Sequence, residues 1–278
     1  MGRLLNTFLD RISQGEVEVS EGPQVLRRTQ WIHKYLAGRR VLRCQSMRED
    51  IPADALNGSI VRRSFCKGKH IFIEFDNGRY LHNHLLMRGT WRKLDGQQLF
   101  LPEQTWLSLY VGPYTVCNLQ GQMLKLVAQD EVDRQCASLG PDTMSDPYPA
   151  EEMRTALAAT SLPISEALLS QSVIAGVGNI AKSESLFLAA VDPRVPGCQL
   201  TATEIDRLLE AIRAVMWGSY HKGGRWTRRV YQRRGQHCEQ CRTLIRSIRI
   251  PPSKRATYYC PRCQDREPLR YAFHSERS

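Results

Sequence analysis

The sequence predicts an α+β protein of several domains: an N-terminal β-sandwich with flanking helices, a helical middle domain, and a C-terminal β-hairpin module rich in cysteine. Three observations carry this. Short strand-like runs separated by turn residues fill positions 41 to 126, the pattern of a sandwich or barrel. Helical periodicity takes over between 150 and 216. Two Cys-x-x-Cys pairs, eighteen residues apart, fall in the last fifth of the chain. The 278 residues suffice for two domains of ordinary size, and a hydrophobic content of 42% supports a real core.

Residues 1–19 form an N-terminal extension. Leu4, Leu5, Phe8, Leu9 and Ile12 have helical spacing, broken at Gln14-Gly15, and predict a short amphipathic helix. The stretch is too short and too soon interrupted for a secretory signal. The sandwich domain spans 20–148. Glu21-Gly22-Pro23 opens a helix, with Pro23 suited to its first turn. Val25, Leu26, Trp31, Ile32 and Leu36 make its apolar face, and Gly38 ends it. Strands are predicted at 41–45, 58–65, 70–75, 80–85, 106–110, 114–118 and 122–126. Asp76-Asn77-Gly78 is a hairpin turn between the third and fourth.

The helical domain spans 149–220. One helix begins at Ala150-Glu151-Glu152-Met153 and another at Ser165-Glu166-Ala167-Leu168-Leu169; Ile180–Ala190 is a third and Thr203–Met216 a fourth. The module 221–278 follows. It carries fifteen Lys and Arg against four Asp and Glu, so it holds the whole net charge of +11 while the preceding 220 residues are neutral overall. A localised basic field attracts polyanions. No apolar run approaches the ~18–20 residues of a membrane span.

Cys238, Cys241, Cys260 and Cys263 make two knuckles that supply four thiolates for one tetrahedral Zn2+. Ile248 and Ile250 alternate, Pro251-Pro252 stops the run, and Thr257-Tyr258-Tyr259 leads back to the second knuckle. A hairpin this small has no adequate core of its own, so the zinc is structural. All four positions are filled by protein. The remaining cysteines (Cys44, Cys66, Cys117, Cys136, Cys198) are most simply small buried residues, because an odd total of nine without a secretory signal argues against disulfides.

Between the second and third helices, Gly176 and Gly178 allow a tight turn, and Asn179 sits where an N-cap belongs. Such a turn presents backbone N–H groups and a positive helix end, which suit a phosphate. Alone the pattern is weak, and a helix–turn–helix without a ligand explains it equally well.

In company it becomes specific. Gly176-Val177-Gly178-Asn179 followed by Ser183-Glu184-Ser185-Leu186-Phe187, with Asp192-Pro193 beyond, resembles the helix–two-turn–helix of the formamidopyrimidine/endonuclease VIII (Fpg/Nei) DNA glycosylases. Lys254-Arg255-Ala256-Thr257-Tyr258-Tyr259-Cys260-Pro261-Arg262-Cys263-Gln264 resembles that family's zinc finger. Leu139-Gly140-Pro141-Asp142, His84-Leu85-Leu86-Met87-Arg88-Gly89, Gly68-Lys69 and Glu21-Gly22-Pro23 resemble further family motifs, in the family's order, so the likeness covers 20–264.

The resemblance implies a protein that flips a damaged base out of DNA and cuts its glycosidic bond. It implies Glu21 as catalytic acid, since a carboxylic acid can protonate the sugar oxygen and help open the ring. It implies Lys69, Asn179 and Arg255 as phosphate ligands. Met87 would fill the gap left by the extruded base. Taken singly, Glu21 would be an acid favoured at a helix start, Lys69 a solvated lysine, Met87 core, and Arg255 one of many basic residues; their ordered co-occurrence lifts them.

Two departures stand out. The family nucleophile is usually an N-terminal proline, whose amine attacks C1′ and forms a Schiff base. The aligned position is Ser20, preceded by nineteen residues. An internal amide nitrogen cannot form a Schiff base, and a serine hydroxyl is a poor nucleophile without a positioned base. The void-filling loop of Fpg type is also absent; Asn118-Leu119-Gln120-Gly121-Gln122-Met123 stands there, closer to endonuclease VIII. Three readings remain. The protein is a glycosylase in which water or Lys69 attacks; or removal of residues 1–19 frees a serine amine; or it is a non-enzymatic binder of damaged or structured nucleic acid. The expected partner is damaged DNA, double- or single-stranded. The expected state is a monomer with no membrane and no obligate protein partner. Its expected place is the bacterial cytoplasm and nucleoid, or the nucleus or an organelle in a eukaryote. The stretch Met216–Arg229 is the expected site of lesion recognition.

Overall fold

The structure, a computed structural model, describes residues 20–87, 89–97, 105–120 and 123–265. The helix expected in 1–19 lies outside them, as do Arg88, Gly121 and Gln122. The chain divides into two compact units. The first holds Ser20 with Arg28–Asp133, and the second holds Glu21–Arg27 with the chain from Arg134 onward.

Helix α1 (Gly22–Leu36) starts with Pro23 in its first turn and buries Val25, Ile32 and Leu36. The first unit is a β-sandwich of two four-stranded antiparallel sheets. One runs β1-β6-β7-β5, from β1 (Arg43–Ser46), β6 (Thr105–Tyr110), β7 (Tyr114–Leu119) and β5 (Thr90–Asp95). The other runs β2-β3-β4-β8, from β2 (Val61–Lys67), β3 (His70–Phe75), β4 (Arg79–His84) and β8 (Met123–Ala128). Strands β3 and β4 are buried on both faces: Ile71, Phe72, Ile73 and Phe75 on β3 and Leu81 on β4 are fully buried. The Asp76-Asn77-Gly78 turn joins β3 to β4. Gly78 takes φ +77, and Asn77 Oδ1 accepts the Arg79 N–H at 3.1 Å.

One strand and one α-helix escaped the sequence pattern. Strand β5 is an edge strand whose Arg92, Lys93 and Asp95 spoil the apolar alternation, leaving Trp91 as its one fully buried residue. Charges are normal on an edge, where they discourage pairing with another chain. Helix α2 (Gln129–Ala137) is polar apart from a buried Val132.

The second unit is helical, with α3 (Ala150–Ala159), α4 (Ile164–Ala167), α5 (Asn179–Leu188) and α6 (Ala202–His221). Leu157, Leu168, Val177, Leu186, Leu208 and Ile212 are fully buried in one core. Helix α4 is a single turn rather than the longer helix expected. Helix α6 starts with a capping box: Glu204 N–H donates to Thr201 Oγ1 at 3.2 Å, and Thr201 N–H donates to Glu204 Oε2 at 2.8 Å. It continues past Met216 to His221. The unit ends in the antiparallel hairpin β9 (Arg246–Arg249) and β10 (Ala256–Tyr259). None of the nine cysteines is in a disulfide. Cys44 and Cys117 are buried as expected, but Cys66 and Cys136 are only partly so, and Cys198 is exposed. No helix among the described residues is long and apolar enough to cross a membrane.

Candidate active site and zinc centre

Glu21 precedes α1, is completely buried, and belongs to the second unit. Its carboxylate caps α5, a helix that begins 158 residues later. Gly178 N–H donates to Oε2 at 3.1 Å, Ile180 N–H to Oε1 at 2.8 Å, and Ala181 N–H to Oε2 at 3.1 Å. A carboxylate is the natural filling here, since it only accepts and it complements the positive end of a helix. Gly22 N–H also donates to the Gly176 carbonyl at 2.9 Å, so α1 and the turn are joined by backbone as well.

Each glycine of the pair has its own reason, backbone conformation for Gly176 and the Glu21 contact for Gly178. Gly176 has φ +98, and a Cβ at Gly178 would lie 2.4 Å from the Glu21 carboxyl carbon. Two sequence expectations are therefore corrected. The N-cap is Gly178, not Asn179, which is the first helical residue. The helix-start N–H groups of Gly178, Ile180 and Ala181 face Glu21, because an internal carboxylate already satisfies them.

Asn179 uses its carboxamide instead. Nδ2 donates to the Ala256 carbonyl at 3.1 Å, and Oδ1 accepts from Lys182 Nζ at 2.7 Å. Lys182 also donates to Thr257 Oγ1 at 2.8 Å and is fully buried. Burial pulls its ammonium down to about 7. Glu166 pushes the other way, Arg255 adds to the lowering, and Glu21 opposes it. Nothing in the sequence singled out Lys182: a lysine amid polar helix residues reads as solvated.

Arg255 is exposed on the β9–β10 connection, two residues from Thr257. The connection is gripped by Glu166, which accepts from Ser253 N–H at 2.8 Å and from Ser253 Oγ at 2.9 Å. Ser253 Oγ in turn accepts the Arg255 N–H at 3.2 Å. The second unit thus brings Glu21, Asn179 and the arginine-bearing connection onto one hydrogen-bonded framework.

The first unit holds Ser20, Lys69 and Met87. Ser20 N–H donates to the Leu86 carbonyl at 3.2 Å, beside Met87, which is 53% exposed. Leu86 takes φ +50, and its N–H donates to His84 Nδ1 at 3.1 Å. Lys69 sits in the β2–β3 turn after Gly68, whose φ is +58. Beside it lies a histidine cluster that the sequence hinted at only through alternate positions on β4. His70 Nδ1 and His82 Nε2 are 2.9 Å apart, and the His70 and His84 rings meet edge to face at 5.0 Å. Burial, reinforced by neighbouring positive groups, lowers all three to about 4, so they are neutral at pH 7.

The four finger cysteines converge. Their sulfurs all lie within 4.8 Å of one another, with 3.9 Å between Cys238 and Cys263 and 3.4 Å between Cys241 and Cys260. A tetrahedron with Zn–S of about 2.3 Å has edges of roughly 3.8 Å, so the donor set fits one structural Zn2+ with no open position. The surrounding apolar cluster is small: Phe187 from α5 packs with Val230, Ile245 and the buried Cys238 and Cys260.

Comparison with known proteins accords with this geometry. The H2TH domain of formamidopyrimidine-DNA glycosylase matches residues 139–229, and the zinc finger found in FPG and IleRS matches 235–266. Endonuclease 8 2 of Mycobacterium bovis is 31% identical over 264 residues, covering 88% of this chain and 99% of that protein. The chain belongs to the Fpg/endonuclease VIII family. The formamidopyrimidine-DNA glycosylase of Sphingopyxis alaskensis is 30% identical over 273 residues, with the same coverage. The Fpg of Lactococcus lactis, solved with DNA containing an abasic site, shares the fold with a TM-score of 0.77 at 22% identity, over 88% of this chain and 100% of that one. In this Fpg/endonuclease VIII protein the region expected to read the lesion, Met216–Arg229, is anchored at its C-terminal end by Glu184. That buried carboxylate accepts the N–H groups of Arg229, Val230 and Tyr231 at 2.8, 3.0 and 2.8 Å.

Proposed function

We propose that this protein is an endonuclease VIII-like DNA glycosylase of base-excision repair that removes a damaged, flipped base by hydrolysis, without strand cleavage. The observation that carries the reading is the state of Ser20. Its nitrogen is a peptide N–H hydrogen-bonded to the Leu86 carbonyl. A delocalised amide nitrogen is no nucleophile. Glu21 next to it is retained in a fixed geometry, which supports assistance to glycosidic cleavage with water as the attacking group. Water then adds at C1′ as the C1′–N bond breaks; the bonding pair leaves with the base, and the proton that water gives up ends on the base nitrogen. Lys69, Asn179 and Arg255 hold phosphates, and Met87, exposed beside Ser20, fills the vacated stack.

One observation favours a second reading, a non-enzymatic binder of damaged or structured nucleic acid. Three backbone N–H groups end on Glu21. Glu21 is therefore needed for the fold of the turn whether or not it does chemistry. One gel separates the readings. Full-length protein is incubated with oligonucleotides carrying oxidised pyrimidines, hydantoins or an abasic site, single- and double-stranded, and run with and without hot alkali. Breaks only after alkali are expected. Breaks without alkali would mean that an amine is available, from Lys69 or a processed terminus. Binding without breaks on any lesion would leave the non-enzymatic reading.

A further inference from the structure

The exposed side of α1 and the neighbouring sheet edge carry aromatic rings and cations that the site described above does not use. Trp31 and Tyr35, one helical turn apart, have ring centroids at 4.8 Å and planes at 54°. Tyr35 meets Tyr114 of β7 edge to face at 5.8 Å, and Tyr114 Oη donates to the Tyr35 carbonyl at 2.7 Å. The three rings form one half-buried row.

Cations surround the row. Arg28 lies 5.4 Å from the Trp31 centroid and Lys34 5.7 Å from that of Tyr35. Arg39 and Lys93 lie 6.0 and 5.1 Å from that of Tyr114. Lys34 and Arg39 are exposed. Asp95, paired with Lys93 at 2.6 Å, offsets one charge. Arg28 is anchored by donating to the Trp91 carbonyl at 3.0 Å.

We infer that the Trp31–Tyr35–Tyr114 row is a second nucleic-acid contact, which takes a short single-stranded DNA segment by base stacking and phosphate pairing. The combination suits that ligand: every base has a π-face to lay on a ring, and Lys34 and Arg39 supply charge for the backbone beside it. An acidic peptide would use the cations but not three splayed rings. A duplex hides its base faces. The site needs none of the residues proposed for base excision, so it stands or falls independently of that activity.

The test uses full-length protein and a labelled twelve-nucleotide oligo-dT. Trp31→Ala/Tyr35→Ala should weaken oligo-dT binding about tenfold or more, as the loss of a stacked base implies, and leave undamaged-duplex binding unchanged. Because that variant removes partly buried rings, Lys34→Gln/Arg39→Gln provides a second arm on exposed residues. It should lower the slope of log affinity against log salt by about 1.4, the value for two single-strand phosphates. Photocrosslinking with a halogenated-uracil oligo-dT should mark the peptides holding Trp31, Tyr35 or Tyr114. Wild-type affinity and salt slope in both variants, equal loss of duplex binding, or crosslinks confined to residues after 220 would each overturn the proposal. Tenfold tighter binding of oligo-U would overturn the choice of DNA over RNA.

Discussion

At the scale of single residues, Glu21 and Lys182 decide most. Glu21→Gln exchanges an oxygen for an NH2 in a pocket where three backbone N–H groups point at the carboxylate. One donor is left facing a donor. We expect excision to be lost and stability to fall by about 1–3 kcal/mol, measured by urea denaturation beside the alkali gel. A variant that still excises would remove Glu21 from the chemistry; one that excises nothing but keeps full stability would refute the cap. Lys182 gives a pH signature. Burial lowers it from its ordinary 10.5 to about 7, so between those values the unfolded chain binds a proton that the native protein does not. Stability therefore rises with pH from about 7 towards 10.5, and the cost of burying the charge is fully present below 7. Urea midpoints at pH 7, 8 and 9 should climb in the wild type and flatten in Lys182→Met. Equal slopes in the two proteins would show that another group is responsible.

At the scale of elements, the finger hairpin is the piece that cannot stand without help. Its apolar cluster borrows Phe187 from α5, and its tip is held by Glu166 and Lys182. Chelation should open the hairpin to trypsin and abolish duplex binding while the first unit stays protected. Duplex affinity that persists in zinc-free protein would contradict the structural role of the metal. The hairpin was legible in the sequence because thiolate spacing is dictated by the tetrahedron. The strands of the two sheets were legible because short apolar runs are separated by turn residues such as Asp76-Asn77-Gly78. Strand β5 was not, since an edge strand needs only Trp91 inside. The family motifs could be read as short strings of residues. Their joining could not: no local pattern announces that the acid at 21 closes the helix start at 178–181, or that Lys182 holds Asn179 rather than facing water.

At the scale of the whole molecule, charge is partitioned. The entire excess of +11 belongs to residues 221–278, with a neutral remainder. Binding to DNA should accordingly weaken steeply with salt, and Arg255→Ala should cost about 1–3 kcal/mol and reduce the duplex salt slope by about 1, measured by anisotropy across a salt series. An unchanged slope would deny Arg255 a phosphate.

The partition of the chain into units also has a consequence for how the protein is made. Residues 21–27 emerge from the ribosome early but belong to the second unit, and Glu21 waits for a partner 157 positions downstream. At translation rates of about 5–20 residues per second that wait is roughly 8–30 s. Through it the carboxylate lacks the helix start that it caps in the folded protein, on a chain whose strands are already able to pair. The second unit can close only around a segment synthesised before nearly everything else in it. A fragment starting at Arg134 should therefore fold poorly, and a synthetic peptide of residues 20–36 added in trans should recover part of its helical signal.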